Sequence, residues 1–266
     1  MIKIDAVKNK KILIMGGVGF IGHNLALKIS DLGGDVTVVD GLQVNSLGYY
    51  TSQYSTNNNS ELYISIINER LRLLKEKKIK ILINDIRDYH TVSKIISEEK
   101  PDSVVHLAAI AHANRSNKDP FSTFDHSMRT LENVLDAIRH LGTHLIFFSS
   151  SMVYGNFNNV AVKEDAHCTP IGIYGALKYG AEKLIIAYNQ VFDLPYTIIR
   201  PSALYGERCV SRRVGQAFIE NALKGENLTI NGDGTDSLDF TYIDDLINGV
   251  ILSIVNETSI NQIFNI

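Results

Sequence analysis

The stretch that most limits what this chain can fold into is Lys11-Ile12-Leu13-Ile14-Met15-Gly16-Gly17-Val18-Gly19-Phe20-Ile21-Gly22. An apolar run meets glycines spaced G-x-x-G-x-x-G at Gly16, Gly19 and Gly22, and an amphipathic run follows from His23 to Leu32. That order predicts strand, tight turn and helix. Glycines let the backbone enter conformations closed to other residues. They also let a pyrophosphate approach the free N–H groups and positive end of the helix. A second apolar strand, Val36 to Val39, ends at Asp40, 18 residues past Gly22. An acid there accepts hydrogen bonds from a ribose diol and repels a 2′-phosphate, which favours NAD over NADP. A glycine triplet alone would also fit a turn with no ligand. The flanking strand, helix and acid point to a dinucleotide site with Gly16, Gly19, Phe20, Ile21, Gly22 and Asp40 in contact.

The same unit repeats downstream. Apolar runs at Ile79–Ile83, Ser103–Leu107, His144–Phe148 and Thr197–Arg200 alternate with helical patterns over Leu62–Lys78, Tyr89–Glu99, Phe121–His140 and Ile173–Val191. Strands alternating with helices predict right-handed crossovers and a doubly wound parallel sheet, an α/β fold. The segment Gly41–Ser60 is polar and reads as a loop, mobile near Asn57–Asn59. Ile110–Asp119 also reads as a loop; it follows a strand and so lies on the ligand side of the sheet, with His112 and Asn114 as candidate contacts. His106, inside an apolar strand, reads as a core residue rather than a catalyst.

The 266 residues are 45% hydrophobic with a net charge of −3, which suits one large domain with a smaller lobe. No basic field suggests nucleic acid or a membrane surface as a partner. Two cysteines give neither a disulfide framework nor metal-ligand spacing. No signal-peptide core or run of membrane-spanning length is present, so a soluble cytoplasmic protein is expected.

Tyr174 and Lys178 lie four apart in a helical stretch, on one face. A nearby cation stabilises a phenolate and lowers a tyrosine pKa, which brings a phenol into use as a general base. A serine cluster, Ser149 to Ser151, lies upstream, with Ser150 24 residues before Tyr174.

With these motifs together, the chain resembles the extended short-chain dehydrogenase/reductase superfamily, in its NAD-dependent sugar-nucleotide epimerase/dehydratase branch. The carrying residues are Gly16 to Gly22, Asp85-Ile86-Arg87-Asp88, His106-Leu107-Ala108-Ala109, Ser149 to Gly155, Tyr174 to Lys178, Arg200-Pro201 to Tyr205-Gly206, and Asp239 to Asp245. The resemblance covers nearly the whole chain. It implies a Rossmann core over about 1–159, 172–202 and 239–266, with a substrate lobe from about 160–171 and 203–238. It implies NAD as cofactor, a nucleotide sugar as substrate and a homodimer formed through a four-helix face. By position, Tyr174 is the acid/base, Lys178 lowers its pKa and holds the nicotinamide ribose, and Ser150 is the catalytic serine. Asp85, Ile86, Leu107, Ala108, Ala109 and Arg200 complete the cofactor contacts. The implied reaction is epimerisation through a transient 4-keto sugar, with a 4-dehydrogenase or 4-ketoreductase as the alternative.

Departures from the branch carry their own expectations. Dehydratases carry an acidic pair after the catalytic serine, where this chain has Ser151 and Met152. Those two then become substrate contacts and elimination is disfavoured. The usual Asn between Arg-Pro and Tyr-Gly is replaced by Ala203 or Leu204, and the Arg before Asp-Phe is Leu238. Arg208, Arg212 and Arg213 are the replacements expected at the nucleotide diphosphate. Family members continue for several dozen residues beyond the final strand, Asn261–Ile266, so a shortened substrate lobe is expected.

Overall fold

The computed structural model describes residues 7–43, 47–51, 59–110, 113–156, 161–210, 214–230, 232–235 and 237–266; at 48, 49 and 113–115 the backbone alone is described. Seven strands form one sheet: β1 Lys11–Met15, β2 Asp35–Asp40, β3 Lys80–Ile83, β4 Ser103–His106, β5 His144–Phe148, β6 Tyr196–Arg200 and β9 Gln262–Asn265. Their spatial order is β3-β2-β1-β4-β5-β6-β9. Every pairing is parallel. A second, two-stranded sheet pairs β7 Ala203–Tyr205 with β8 Phe240–Tyr242, also in parallel.

The apolar runs are continuous because helices cover both faces of the large sheet. Successive side chains alternate between two cores. Ile12, Ile14, Val38, Val105 and Ile146 share one core with residues of helices α1 (Phe20–Asp31) and α10 (Ile243–Val255). Leu13, Met15, Val39, Val104 and Leu145 share the other. Helices α4 (Tyr89–Glu99), α7 (Thr130–Ile138) and α8 (Gly172–Phe192) supply its second layer. The strand order reverses between β1 and β4, and in such sheets a ligand crevice opens at the carboxyl ends of the strands on either side of the reversal.

Three local expectations need correction. Within Gly41–Ser60, a short helix α2 spans Leu47–Thr51; Asn57 and Asn58, where mobility was expected, lie outside the described residues. Helix α3, Ser60–Glu76, follows. Within the expected loop Ile110–Asp119, helix α5 spans Ala113–Lys118. The expected long helix Phe121–His140 divides into α6, Pro120–Phe124, a π turn over Asp125–Arg129, and α7. Asp119 caps α6 by accepting from Ser122 N at 3.0 Å. Thr130, the first residue of α7, donates its hydroxyl back into the π turn, to His126 O at 2.9 Å. Such bulges re-aim side chains and recur at functional sites; His126 is turned toward the crevice. Helix α10 lies on the same core as α1. Its apolar residues Leu246, Ile247, Val250, Ile251 and Ile254 recur at helical spacing and are buried. Helix α9, Val214–Lys224, lies between β7 and β8 in the chain. Among the described residues no helix is long and apolar enough to cross a membrane, and no cluster of side chains could hold a metal ion.

Candidate active site

One cleft runs along the carboxyl ends of the strands. Its floor is the glycine turn. Gly16 N donates to Val39 O at 2.7 Å, and Gly19 N donates to Gly16 O at 3.2 Å. Gly16 has φ +85, and a Cβ there would stand 2.9 Å from Ala108 N. A Cβ on Gly22 would stand 2.5 Å from the Gly17 Cα, so this glycine lets helix α1 approach the turn. Helices α4 and α6 have their first N–H groups capped by Asp88 and Asp119. Helix α1 follows Gly19, which offers no side-chain cap, and has no acidic residue in its first turn. Its leading N–H groups, with the positive helix end behind them, open on the cleft beside Phe20 and Ile21. That arrangement fits the pyrophosphate of a dinucleotide.

Asp40 stands at the end of β2 on the same cleft. One of its oxygens accepts from Val18 N at 2.9 Å and the other from Leu42 N at 2.8 Å. Burial pushes its carboxyl above the usual range, against the pull of those two N–H groups and of Arg70.

Further along, Asp85 and Ile86 line the cleft. Ile86 is buried, and its carbonyl accepts from Asn133 Nδ2 at 3.0 Å. The Asp85 carboxylate already has partners. It accepts from Arg87 Nη2 at 2.7 Å, from the Arg87 backbone N at 3.0 Å and from Gln43 Nε2 at 3.0 Å. The guanidinium beside it holds its carboxyl well below the usual range. Arg87 also reaches Asp125 at 2.8 Å, and Gln43 Oε1 lies 2.9 Å from His126 Nε2.

The opposite end of the cleft is built where β5 meets α8. Ser149 and Ser150 follow β5 directly and line the cleft. Ser150 Oγ accepts from Met152 N at 3.2 Å, which caps the short 3₁₀ turn Ser151–Tyr154. Tyr174 and Lys178 lie on the buried side of α8 and also line the cleft. Lys178 Nζ donates to Phe148 O at 2.6 Å and lies 4.8 Å from the Phe147 ring centroid and 5.9 Å from that of Tyr174. Burial pushes the Lys178 ammonium down to about 8, against the charge of Glu182. Leu107, Ala108 and Ala109 form the wall between the two ends.

Other sequence-expected residues fall elsewhere. Ser151 and Met152 are not among the cleft-lining residues, and Met152 is exposed, because the 3₁₀ turn carries them away from Ser150. Arg200 is buried and off the cleft. Its guanidinium donates to Glu182 at 2.6 and 2.9 Å, to the Tyr154 hydroxyl at 2.7 Å and to Glu164 O at 3.0 Å. The cofactor contact expected of it is thereby replaced by a protein network. Arg208 turns to helix α1, donating to His23 and Asn24, rather than into the cleft. His112, Arg212 and Arg213 and the Asn114 side chain lie outside the described residues. His106 is buried against Phe147, as a core residue should be.

The cleft also contains residues that were not expected there: Gln43, Arg87, Thr130, Ser202 and Val210. Arg87 sits inside the Asp85–Asp88 motif and was legible from it. Val210 was not, since nothing in a polar turn marks one valine as facing a ligand.

The NAD dependent epimerase/dehydratase family matches residues 12–266. A UDP-glucose 4-epimerase of Lactobacillus helveticus is 27% identical, over 96% of this chain and 76% of that protein. A dTDP-D-glucose 4,6-dehydratase of Dictyostelium discoideum is 28% identical, over 97% of this chain but 58% of that protein. The crystal structure of a UDP-glucuronic acid 4-epimerase from Bacillus cereus, in complex with UDP-glucuronic acid and NAD, superposes with a TM-score of 0.79 at 29% identity. It covers 96% of this chain and 77% of that one. A doubly wound parallel sheet, an uncapped glycine turn and a family match over nearly the full length lead to one assignment: the chain belongs to the NAD dependent epimerase/dehydratase family.

Proposed function

We propose that the protein is an NAD-dependent nucleotide-sugar epimerase that works through a transient 4-keto sugar. The observation that carries this reading is the convergence of Tyr174, Lys178 and Ser150 on the cleft that the glycine turn opens. NAD held on that turn, over Gly16, Gly19 and Gly22, would supply the hydride-accepting and hydride-donating chemistry. Tyr174, as phenolate, takes the proton of the sugar C4 hydroxyl and gives it back after the sugar has turned. The Lys178 charge favours the phenolate. Ser150 hydrogen-bonds the oxygen that becomes the ketone, where its hydroxyl opposes the developing charge. Asp40 would accept from the adenosine ribose, and Asp85 and Ile86 would frame the adenine. The sugar nucleotide would lie toward Ser202, Leu204 and Val210, in a lobe drawn from about 160–171 and 203–238.

The related dehydratase is no argument for elimination here. Ser151 and Met152 occupy the positions of the acidic pair and do not line the cleft. A 4-dehydrogenase would use the same residues and differ only in releasing the keto sugar and reduced cofactor. The proposed partner is a second copy of the chain, seated on α6 and α8, where Phe121, Phe124 and Val191 are exposed. The proposed compartment is the cytoplasm.

The test is incubation of the purified protein with UDP-, GDP-, CDP- and dTDP-sugars, following sugar stereochemistry and the absorbance of reduced nicotinamide. Exchange at C4 without net NADH is the expected result. NADH rising in step with a keto sugar would move the protein to the dehydrogenases.

A further inference from the structure

Arg208 lies in the turn after β7 with φ 62. A residue other than glycine holds that left-handed backbone only where its surroundings over-determine it. Here those surroundings belong to the dinucleotide turn. Arg208 Nε donates to His23 Nε2 at 2.9 Å, and its Nη2 donates to Asn24 Oδ1 at 2.7 Å. His23 is fully buried, and its Nδ1 lies 2.8 Å from Gly19 O. A carbonyl requires a donor, so the ring is the neutral Nδ1–H tautomer, which leaves Nε2 to accept from Arg208. Burial first, then the Arg70 charge, push this imidazole down to about 3, in keeping with the neutral ring. Asn24 in turn donates to Phe20 O at 2.9 Å.

A second strut runs behind the first. The Arg208 carbonyl accepts from Nε of the fully buried Arg70 at 3.0 Å, and Arg70 Nη1 reaches Val18 O at 3.4 Å. Residues 18–24 and the Arg208 turn are thus joined at two points. Val210, two residues past Arg208, lines the cleft. Among the described residues neither Arg70 nor Arg208 takes part in an ion pair. Among the described residues two guanidiniums with no carboxylate in direct contact, Arg70 feeling only the more distant charge of Asp40, therefore lie behind the turn whose free N–H groups face the cleft.

We propose that Arg208 is a positioning residue that couples occupancy of the dinucleotide turn to the seating of the Gly206–Val210 segment. An anion bound over the turn stabilises the two guanidiniums behind it and so favours the state in which Arg208 is docked on His23 and Asn24. Docking holds Val210 against the cleft, ready for the second ligand. The inference rests on the dinucleotide reading of the turn and is independent of which sugar is turned over.

Amide hydrogen exchange on the full chain, with and without NAD, tests it. In the unaltered protein, NAD should slow exchange at least tenfold both at Gly19–Gly22 and at Gly206–Val210. In Arg208→Gln the first effect should persist and the second fall below threefold. Asn24→Ala removes one of the two side-chain acceptors from a half-buried site and should give an intermediate value; it serves as the readout should Arg208→Gln not fold. A merely structural Arg208 would change exchange equally with and without NAD. Protection of Gly206–Val210 that persists undiminished in both variants overturns the proposal, since the dinucleotide would then be reaching that segment directly. Protection of the turn alone in the unaltered protein overturns it as well. Absence of protection even at Gly19–Gly22 would remove the dinucleotide reading itself, and the coupling with it.

Discussion

The Nζ of Lys178 donates to the carbonyl oxygen of Phe148 at 2.6 Å, which pins helix α8 to the last residue of strand β5. Two sequence-distant motifs meet through that bond. Ser149 and Ser150 follow Phe148 directly, and Tyr174 lies one turn before Lys178 on the same helix face. Placing the phenol and the serine at one end of the cleft therefore follows from a single charged hydrogen bond and the helical period.

Tyr174→Phe should keep this geometry and remove the proton-transferring hydroxyl. Turnover of whichever nucleotide sugar proves active should fall by about 10²–10⁴, the usual contribution of a positioned acid/base. The nucleotide content of the purified protein and its thermal midpoint should stay close to those of the unaltered chain. Turnover preserved within a few fold would assign the chemistry to another group.

Much of the fold and half of the site could be read from the residues. The parallel sheet followed from apolar runs at regular spacing, because β1, β4, β5 and β6 are covered on both faces and need no polar alternation. Tyr174 and Lys178 could be paired because helix geometry is local. The failures have a common cause. Arg200 and Arg208 look from sequence like cations awaiting phosphates, yet their partners Glu182, Tyr154, His23 and Asn24 come from segments 18 to 185 residues away. The π turn at Asp125–Arg129 left no mark in the hydrophobic pattern, which continues through it into α7. Periodicity reports which side of an element is buried, and it is silent on which buried cation meets which acceptor.

Gly16→Ala should abolish dinucleotide retention. The added Cβ meets Ala108 N at 2.9 Å, backbone that cannot rotate away, and φ +85 is strained for any other residue. Gly33→Ala is the matched control. It too has positive φ, +82, but its nearest neighbour is a Lys8 side-chain atom at 3.7 Å. Both variants should lose about 1–2 kcal/mol of stability from backbone strain, while only Gly16→Ala should lose bound nucleotide on release by denaturation. Equal nucleotide content in the two would contradict the close passage of the turn past β4.

Acid should destabilise the protein from about pH 6.5 downward. Burial pushes His23 and His106 down to about 3 and His144 down to about 4. Each has a folded pKa below its unfolded value near 6.5, so the unfolded chain binds more protons between those limits and stability rises with pH across them. His106 is the clearest contributor. It is buried, stacked on Phe147 at 15°, and its Nδ1 has no hydrogen-bond partner among the described residues. Between pH 6.5 and 5 it should account for about 1.5 kcal/mol of lost stability. Urea midpoints at the two pH values should converge in His106→Phe relative to the unaltered chain. An unchanged pH slope in that variant would show that His106 does not resist protonation.

The Glu182–Arg200 pair should be costly to break from one side only. Both side chains are almost wholly buried and lie 2.6 Å apart. Glu182 also accepts from the Ser149 hydroxyl, and Arg200 donates to Tyr154, so the pair joins the serine segment to the turn that ends at Gly155. Glu182→Leu leaves a guanidinium buried among groups that cannot neutralise it, and a loss of about 3–5 kcal/mol is expected. Arg200→Met should cost a similar amount through the stranded carboxylate. The double variant should recover much of either loss, because two apolar side chains no longer require each other's charge. Glu182 also opposes the lowering of the Lys178 ammonium, so the double variant should move that group further below about 8. The two quantities separate under measurement. Denaturant unfolding reads the stability cycle, and the ¹⁵N chemical shift of the Lys178 side chain against pH reads the charge effect. A Lys178 titration unchanged in the double variant would confine Glu182 to packing and leave the ammonium set by burial alone.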